Sequence, residues 1–329
     1  MRLGVIGSGS WATALAKILT DNGNPINWWV RNEGTIRHLQ SRHHNPHYLP
    51  SVYFDTKLLA LSDKVEEVVA GSDCLVIAVP SAYITETLEG LDRNAFKGKK
   101  LVSAVKGILP EKNLLLNDYL EKEFDVQLND YFTVMGPCHA EEVAAEKLSY
   151  LTFSGRDATI TEKIASYFKT EYLNTVVNSD IYGVQFAAVL KNIYALGAGI
   201  AHGLEYGDNF LSVLIANCAD EMAGFLLKEG IDPPPNYTAS AYLGDLLVTC
   251  YSLYSRNRTF GNMIGKGYSV KAARLELNMV AEGYNASKCI YEINKEIKAE
   301  MPIAETIYRI LWENVKVQEG FKQIEPLLV

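Results

Sequence analysis

One lysine lies in the middle of a long apolar stretch of the chain. The stretch runs from Ile181 to Ala201, and the polar residues near its centre are Gln185, Lys191 and Asn192. A run of this length would span a bilayer, but three polar side chains at its centre favour a buried core helix instead. Burial disfavours the charged form of a lysine and lowers its pKa from about 10.4. Lys191 is therefore a candidate proton donor and acceptor at an alcohol or carbonyl oxygen.

Two further segments offer charged groups for a substrate or for this amine. Asp245 precedes an apolar run, and its carboxylate is a candidate partner that would set the proton affinity of Lys191. Ten residues later, Ser255-Arg256-Asn257-Arg258 combines two guanidinium groups with a hydroxyl and an amide, a donor set suited to phosphate. The alternatives are a helix-capping Asp245, a solvated basic loop, and a Lys191 whose amine reaches solvent past small neighbouring side chains.

A glycine-rich turn near the start of the chain has the pattern of a dinucleotide-binding loop. Gly7-Ser8-Gly9-Ser10-Trp11-Ala12 fits G-x-G-x-x-A, follows a predicted strand and opens a predicted helix. Glycines permit a tight turn and close backbone approach, and the N–H groups of the helix N-terminus bind a pyrophosphate. Gly7, Gly9, Ser10 and Trp11 are therefore candidate cofactor-binding residues. The alternative is an ordinary glycine-rich turn between a strand and a helix.

The end of the second predicted strand bears on the choice of cofactor. An acidic residue about 20 residues beyond such a turn commonly binds the ribose of NAD. Here Val30-Arg31-Asn32 stands in that place. Arg31 can pair with a 2′-phosphate or lie over the adenine, which favours NADP or the use of both cofactors. Glu33 leaves NAD open, and the alternative is that Arg31 is only a surface residue.

Lys106 follows another predicted apolar strand, in Ala104-Val105-Lys106-Gly107. Strand ends of this kind line the ligand crevice of a doubly wound sheet, so we expect Lys106 to hold an anionic or carbonyl group. For a lysine taken in isolation, a solvated loop position is the more common case.

The histidine-rich segment His43-His44-Asn45-Pro46-His47 resembles a metal site. No carboxylate or cysteine lies near it in the sequence, and Pro46 breaks any helical spacing, so we predict no metal site. The cysteines are odd in number and are never spaced as C-x-x-C, which predicts reduced thiols in a cytoplasmic protein. They are Cys74, Cys138, Cys218, Cys250 and Cys289.

The elements that position these residues change in character near residue 180. Before it, short apolar strands alternate with helices, and this alternation predicts a Rossmann-type, doubly wound parallel α/β sheet. The predicted strands are Arg2–Ile6, Ile26–Val30, Cys74–Val79, Leu101–Val105, Tyr131–Met135, Tyr150–Ser154 and Thr175–Asn178. After residue 180 the periodicity is helical. The strongest predicted helices there are Ile181–His202, Phe210–Glu229, Asn285–Glu300 and Ile303–Val317.

We therefore predict two domains, a dinucleotide-binding domain over residues 1–179 and an all-α substrate and catalytic domain over residues 180–329. Pro233-Pro234-Pro235 predicts a rigid break inside the second domain. The chain of 329 residues has a net charge of −8, and its sequence shows no basic face of the kind expected of a duplex nucleic-acid binder. We expect no stable insertion into a membrane.

Seven segments together resemble the bacterial NAD(P)-dependent glycerol-3-phosphate dehydrogenases, in order and spacing and over nearly the whole chain. They are GSGSWATALA at 7–16, AVKGI at 104–108, GPCHAEEV at 136–143, LKNIYALGAGI at 190–200, GDLLVTC at 244–250, SRNRTFG at 255–261 and AEGY at 281–284. The resemblance implies a cytoplasmic, homodimeric oxidoreductase. It would interconvert dihydroxyacetone phosphate and sn-glycerol 3-phosphate with NADP or NAD and supply phospholipid synthesis.

The resemblance also implies roles for individual residues. Lys191 would accept the proton in the oxidative direction, with Lys106 and Asp245 as its catalytic neighbours. The residues that would contact the substrate are Lys106, Gly136, Cys138, Lys191, Asn192, Asp245, Ser255, Arg256 and Asn257. Those that would contact the cofactor, besides the glycine turn, are Arg31, Tyr48, Lys106, Ala140, Arg256, Val280 and Glu282.

The chain departs from the family pattern at two places. The family usually has Ser or Thr where this chain has Cys138, which puts a hydroxyl contact with the substrate in doubt. The family usually has Thr-Arg-Gly where this chain has Ala216-Asn217-Cys218. Any role of that arginine in phosphate binding or in the subunit interface is lost or supplied by another residue.

Two other functions compete with this one. The first is a dehydrogenase of the same architecture acting on a 2-hydroxyacid or a sugar acid, which the phosphate-directed segment around Arg256 disfavours. The second is a non-catalytic NAD(P)-binding sensor, which would need neither a buried lysine nor an anion pocket.

Overall fold

The computed structural model describes residues 1–230, 235–277 and 280–329, and it divides into two compact units. The first unit comprises Met1–Val105 and Leu114–Ile181, and the second comprises Lys106–Asn113 and Tyr182–Val329. The sequence assigned residues 106–113 to the sheet domain, whereas the structure groups them with the helices. The side-chain amide of Asn192 donates a hydrogen bond of 2.8 Å to the carbonyl of Lys106, which ties this segment to the second unit.

The first unit is built on an eight-stranded sheet with the strand order β3-β2-β1-β4-β5-β6-β7-β8. The central strands are continuous apolar runs buried on both faces, as is typical of parallel sheets covered by helices. The edge strand β3 is only partly buried, and the sequence analysis did not predict it although Leu59, Ala60 and Leu61 are apolar. The strands are β1 (Leu3–Ile6), β2 (Ile26–Trp29), β3 (Leu59–Ser62), β4 (Cys74–Ile77), β5 (Lys100–Ser103), β6 (Tyr131–Met135), β7 (Ser149–Ser154) and β8 (Leu173–Asn178).

The predicted Rossmann-type α/β class is confirmed, with one correction to the direction of the strands. All neighbouring strands are parallel except β6 and β7, which pair antiparallel with Thr133 opposite Ser154. The connection between these two strands contains the five-residue helix Ala140–Ala144. Helix length alone does not set the strand direction, because the parallel strands β4 and β5 are also joined through a five-residue helix, Ile84–Leu88.

The helices of the first unit cover the sheet with apolar faces. Leu15, Ile18 and Leu19 of the first helix are fully buried against it. The sequence pattern predicts a helix over residues 111–124, whereas the observed helix begins only at Leu116. The helices are α1 (Ser10–Asp21), α2 (Glu33–Arg42), α3 (Val65–Gly71), α4 (Ile84–Leu88), α5 (Leu116–Phe124), α6 (Ala140–Ala144) and α7 (Ala158–Ser166).

The regular elements of the second unit after residue 181 are helices within the described residues, whereas Lys106–Asn113 consists of turns and a bridge residue at Leu109. The four helices that the sequence predicted are present as α8, α9, α13 and α14. The helices are α8 (Ile181–Gly203), α9 (Asp208–Lys228), α10 (Asp245–Tyr251), α11 (Arg256–Gly265), α12 (Val270–Glu276), α13 (Glu282–Ile297), α14 (Pro302–Trp312) and α15 (Val317–Ile324). Of the predicted proline break, Pro233 and Pro234 lie outside the described residues.

Two helices, α8 and α9, are long and apolar enough to cross a membrane by length and composition. In the most apolar 18-residue segment of α8 every residue is buried inside the structure, whereas in that of α9 44% of the segment is buried. The prediction that the stretch around Lys191 is a buried core helix is therefore confirmed.

Candidate active site

The turn after β1 has a shape that requires glycine at its first position. Gly7 has a φ of +131°, and a Cβ there would stand 2.4 Å from the backbone oxygen of Ala78. Ala78 follows β4, and β1 pairs with β2 on one side and β4 on the other. The turn therefore lies where the strand order reverses, which is the position of ligands in doubly wound sheets.

Gly9 has the opposite environment. A Cβ at Gly9 would meet no described atom within 4 Å. Gly9 is also the N-cap of α1, where no described side chain caps the helix and no acidic residue stands in the first turn. A helix N-terminus attracts anions through its N–H groups and dipole. The open space at Gly9 and this helix end together fit the pyrophosphate of a dinucleotide.

Two buried side chains that the sequence did not single out hold the turn. Trp28 donates from Nε1 to the carbonyl of Gly7 at 2.7 Å. Asn45 donates from Nδ2 to the carbonyl of Ser8 at 3.1 Å and to the hydroxyl of Thr13 at 3.0 Å. Both contacts join a side chain to a distant part of the chain, 21 and 37 residues away respectively, and no local sequence signal marks either of them.

Arg31 and Tyr48 lie on two segments of the first unit that follow β2 and α2. Arg31 is exposed, and the next residue, Asn32, accepts the N–H of Thr35 at 3.1 Å and begins α2. Tyr48 is half-buried, and its N–H donates to Oδ1 of Asn45 at 3.3 Å. Tyr48 therefore belongs to the loop that Asn45 anchors to the glycine turn.

A second tight turn contains Gly136 and Cys138. Gly136 has a φ of +137°, and a Cβ there would stand 2.7 Å from the carbonyl oxygen of Tyr150. The thiol of Cys138 donates to the same oxygen at 3.2 Å. Cys138 thus holds the turn against β7, and Ala140, two residues later, begins α6.

In the second unit, Lys191 is the buried lysine that the sequence predicted. It is 4% exposed and forms an ion pair with Asp245, which is 1% exposed. Burial lowers the pKa of Lys191 to about 8; the carboxylate of Asp245 opposes this shift, and the charge of Lys106 adds to it. The alternative in which the amine of Lys191 reaches solvent is wrong.

Lys106 lies on the other side of the same carboxylate. Its Nζ is 3.9 Å from Oδ2 of Asp245, whereas Lys191 contacts Oδ1. The side chain of Lys106 is 18% exposed, so it is the more accessible of the two amines. Two ammonium groups around one carboxylate leave a net positive charge, which suits a carbonyl oxygen that becomes an alkoxide.

Asp245 is positioned by the start of α10. It follows a π-helical turn at Ser240–Gly244, a feature common at functional sites. The hydroxyl of Thr249 donates to the backbone carbonyl of Asp245 at 2.6 Å and lies 3.5 Å from its Oδ1. The carboxylate is therefore held at a helix start, facing the amine on α8.

A close crossing of α8 and α11 brings the lysine helix beside the Ser255–Arg258 segment. Each helix carries two glycines four residues apart, Gly199 and Gly203 on α8, Gly261 and Gly265 on α11. A Cβ at Gly199 would stand 2.1 Å from the carbonyl oxygen of Arg258, and one at Gly261 would be equally close to that of Leu196. Larger residues would force the two helices apart.

A chain of buried amides links four segments of the second unit. Asn257 donates to Oδ1 of Asn192 at 2.8 Å and accepts the N–H of Gly283 at 3.0 Å. Asn192 in turn donates to the carbonyls of Lys106 and Ala188. The amides of Asn192 and Asn257, which the sequence assigned to the substrate, therefore hold Lys106, α8, α11 and α13 together.

At the start of α11, Ser255 stabilises the helix, whereas Arg256 is exposed at the surface. The hydroxyl of Ser255 accepts the N–H of Arg258 at 3.2 Å and caps the helix. Arg256 is exposed, and its Nη1 donates to the carbonyl of Val280 at 3.3 Å. Glu282 begins α13. The contacts of Ser255 and Arg256 with a phosphate, and of Arg256, Val280 and Glu282 with a cofactor, stay predictions.

Both parts of the chain match models of known protein families. The family model described as the N-terminus of NAD-dependent glycerol-3-phosphate dehydrogenase matches residues 2–161, and the model of its C-terminus matches residues 180–322. The chain belongs to the NAD-dependent glycerol-3-phosphate dehydrogenase family. The recognition made from the seven segments is therefore confirmed.

Individual members of the glycerol-3-phosphate dehydrogenase family match over nearly the full chain. The NAD(P)+ enzyme of Bacillus subtilis (strain 168) is 35% identical over 97% of this chain and 92% of its own length. That of Listeria monocytogenes serotype 4a (strain HCC23) is 35% identical over 97% and 94%. A crystal structure of the Coxiella burnetii enzyme superposes with a TM-score of 0.89 at 25% identity and covers 98% of both chains.

The structure gives a local account of the position where the glycerol-3-phosphate dehydrogenase pattern usually has arginine. The side chain of Asn217 on α9 donates to the carbonyls of Val213 and Val329, both at 2.9 Å. Its Oδ1 also accepts the N–H of Val329 at 3.1 Å. At this position the chain thus has a neutral side chain that binds the last residue.

Proposed function

We propose that this protein is an oxidoreductase that interconverts dihydroxyacetone phosphate and sn-glycerol 3-phosphate with NAD(P)H. The observation that carries the proposal is the buried ion pair of Lys191 and Asp245, with Lys106 beside it, in a member of the glycerol-3-phosphate dehydrogenase family.

Lys191 moves the proton in this reaction. In the reductive direction its ammonium group donates a proton to the alkoxide oxygen that develops at the substrate's ketone, and in the oxidative direction its neutral amine takes the hydroxyl proton. The nicotinamide, when bound, would supply the hydride to the substrate carbon that carries this oxygen, or accept it from that carbon in the oxidative direction. Because burial lowers the pKa of Lys191 to about 8, both protonation states are accessible near neutral pH. Such general acid–base transfer contributes roughly 10²–10⁴ in rate.

Asp245 and Lys106 prepare the oxygen site. Asp245 holds the amine of Lys191 in one orientation and offsets part of the cost of burying its charge. Lys106 adds positive charge where the alkoxide forms and contacts the substrate, while Asn192 positions Lys106 through its backbone carbonyl. Lys106 and Asp245 are thus the catalytic neighbours of Lys191.

The phosphate of the substrate binds at the start of α11. Arg256 is exposed there, and a helix N-terminus favours an anion. Ser255 and Asn257 support this segment through the helix cap and the amide chain. Binding energy from the phosphate, which does not react, orients the small substrate for transfer.

The cofactor binds to the first unit at the glycine turn. Gly7 and Gly9 allow the close approach of its pyrophosphate, and Ser10 and Trp11 lie in the first turn of α1. The exposed guanidinium of Arg31 binds the adenosine end of the cofactor with or without a 2′-phosphate, so both NADP and NAD act as the cofactor.

We place the enzyme in the cytoplasm as a homodimer that supplies glycerol 3-phosphate for phospholipid synthesis. None of the five cysteines, all of which lie in the described residues, forms a disulfide, which fits a reducing compartment. The face formed by α9, α10 and the residues after α10 exposes apolar side chains that a second copy would cover. These are Val213, Leu227, Leu247, Tyr251, Leu253 and Tyr254.

A steady-state assay of dihydroxyacetone phosphate reduction with NADH and NADPH side by side tests the proposal. We expect turnover with the phosphorylated ketone and none with unphosphorylated dihydroxyacetone, because Arg256 and the α11 N-terminus then have no anion to bind. Equal activity on both ketones would contradict the phosphate site, and activity only on 2-oxoacids would replace the proposed substrate.

A further inference from the structure

The histidine-rich segment forms a side-chain pair that its sequence spacing does not reveal. Helix α2 ends at His43, whose left-handed backbone (φ of 64°) turns the chain back. This turn brings His44 beside His38 of α2, with the two Nε2 atoms 3.3 Å apart and the rings nearly perpendicular, at 81°. The prediction of no metal site considered only residues 43–47, where no carboxylate or cysteine is near and Pro46 breaks helical spacing, and so it did not include His38.

We propose that His38 and His44 bind a divalent transition-metal ion of the zinc class through their Nε2 atoms. Zinc binds imidazole nitrogen at about 2.0–2.1 Å, so two nitrogens with this separation subtend an angle of about 107° at the ion, close to tetrahedral. Among the described residues there is no group of three or more His, Cys, Asp or Glu suited to a metal. Water therefore fills the remaining positions, and the site is an exchangeable one.

The surroundings of His44 favour the ligating form of its ring. Its Nδ1 lies 3.3 Å from the backbone carbonyl of Asn45, so an N–H there donates to that oxygen and leaves the lone pair on Nε2. Histidines that bind metals commonly have this second hydrogen bond, which fixes the tautomer and the orientation of the ring. Both His38 and His44 are only half-buried, so an ion can reach them from solvent.

The site is connected to the dinucleotide turn through Asn45. The carbonyl of Asn45 faces His44, its side-chain amide donates to Ser8, and its Oδ1 accepts the N–H of Tyr48. A metal on His44 therefore restrains the loop that holds the glycine turn. Since these hydrogen bonds hold the glycine turn, restraint of the loop by the metal should strengthen dinucleotide binding.

Calorimetric titration of the full-length protein with zinc chloride tests the site without reference to activity. The wild-type protein should bind one equivalent, and His38→Gln and His44→Gln should each bind roughly tenfold more weakly or not at all. His202→Gln, which alters an exposed histidine at the end of α8, is the matched control and should bind as the wild type does. Magnesium should give no heat, because imidazole does not suit it.

Wild-type affinity in both His38→Gln and His44→Gln would overturn the site, as would the lack of a single equivalent in the wild type. The two variants lie on different segments, so one remains informative if the other fails to fold. Titration of NADH with and without saturating zinc then tests the link to the turn. Tighter binding with zinc in the wild type but not in His44→Gln is expected, and an unchanged dissociation constant would refute the link.

Discussion

The glycine turn of the first unit and the lysine cluster of the second are built on different physical grounds. At the turn, function depends on backbone: Gly7 and Gly9 differ in φ and in what a Cβ would meet, and the segment between β1 and α1 is continuous in sequence. At the cluster, function depends on charges buried together, and Lys106, Lys191 and Asp245 come from three distant segments. A backbone site can be recognised from a short motif, whereas a charge cluster requires the fold that gathers it.

The largest effect should follow from removing the amine of Lys191. Lys191→Ala should lower kcat by roughly 10²–10⁴, because the variant loses the group that moves the proton. NADH binding, measured by fluorescence titration, should be unchanged, since the glycine turn is in the other unit.

A matched control is Lys17→Met, which removes another buried, ion-paired lysine, on α1. It should leave kcat per folded molecule unchanged. If Lys17→Met lowers kcat as much as Lys191→Ala does, the loss reflects folding and not proton transfer. If Lys191→Ala keeps wild-type turnover, a group other than Lys191 moves the proton.

The next effect tests the helix crossing that supports the cluster. Gly261→Ala places a Cβ 2.1 Å from the carbonyl of Leu196 and should reduce the free energy of unfolding by about 1–3 kcal/mol or more. Gly224→Ala, at an exposed position on α9 where a Cβ meets no described atom within 4 Å, should raise it by up to about 1 kcal/mol. Urea denaturation measures both, and equal effects would mean that the glycines of α11 do not set the crossing.

The smaller effect separates the two glycines of the turn. Gly7→Ala should cost about 1–3 kcal/mol of stability, because its φ of +131° disfavours any side chain. Gly9→Ala has an ordinary φ of −76° and should fold normally, yet bind NADH more weakly because its methyl group fills the space for the pyrophosphate. Unfolding curves and NADH titrations of the two variants distinguish these outcomes. Wild-type NADH affinity in Gly9→Ala would count against pyrophosphate binding in the open space at Gly9.

Much of the fold and of the candidate active site could be predicted where the sequence carries a local pattern. The apolar runs predicted seven strands, and the position of Lys191 within an otherwise apolar helix predicted its burial. Strand β3 carried a short apolar signal, Leu59-Ala60-Leu61, that was missed. The contacts of Trp28 and Asn45 with the turn gave no local signal, because each depends on tertiary packing. Ser255 is a different case: a serine directly before a helix is a known N-cap signal, and applying it would have predicted the bond to Arg258.

The most direct test of the central claim, that Lys191 carries the proton, is the pH dependence of kcat/KM in both directions. Ketone reduction needs the ammonium form, so its kcat/KM should fall as the pH rises through about 8; alcohol oxidation needs the neutral amine, so its kcat/KM should rise over the same range. Lys191→Ala should lose both inflections. Profiles that move in the same direction, or an inflection near pH 8 that persists in the variant, would contradict the account.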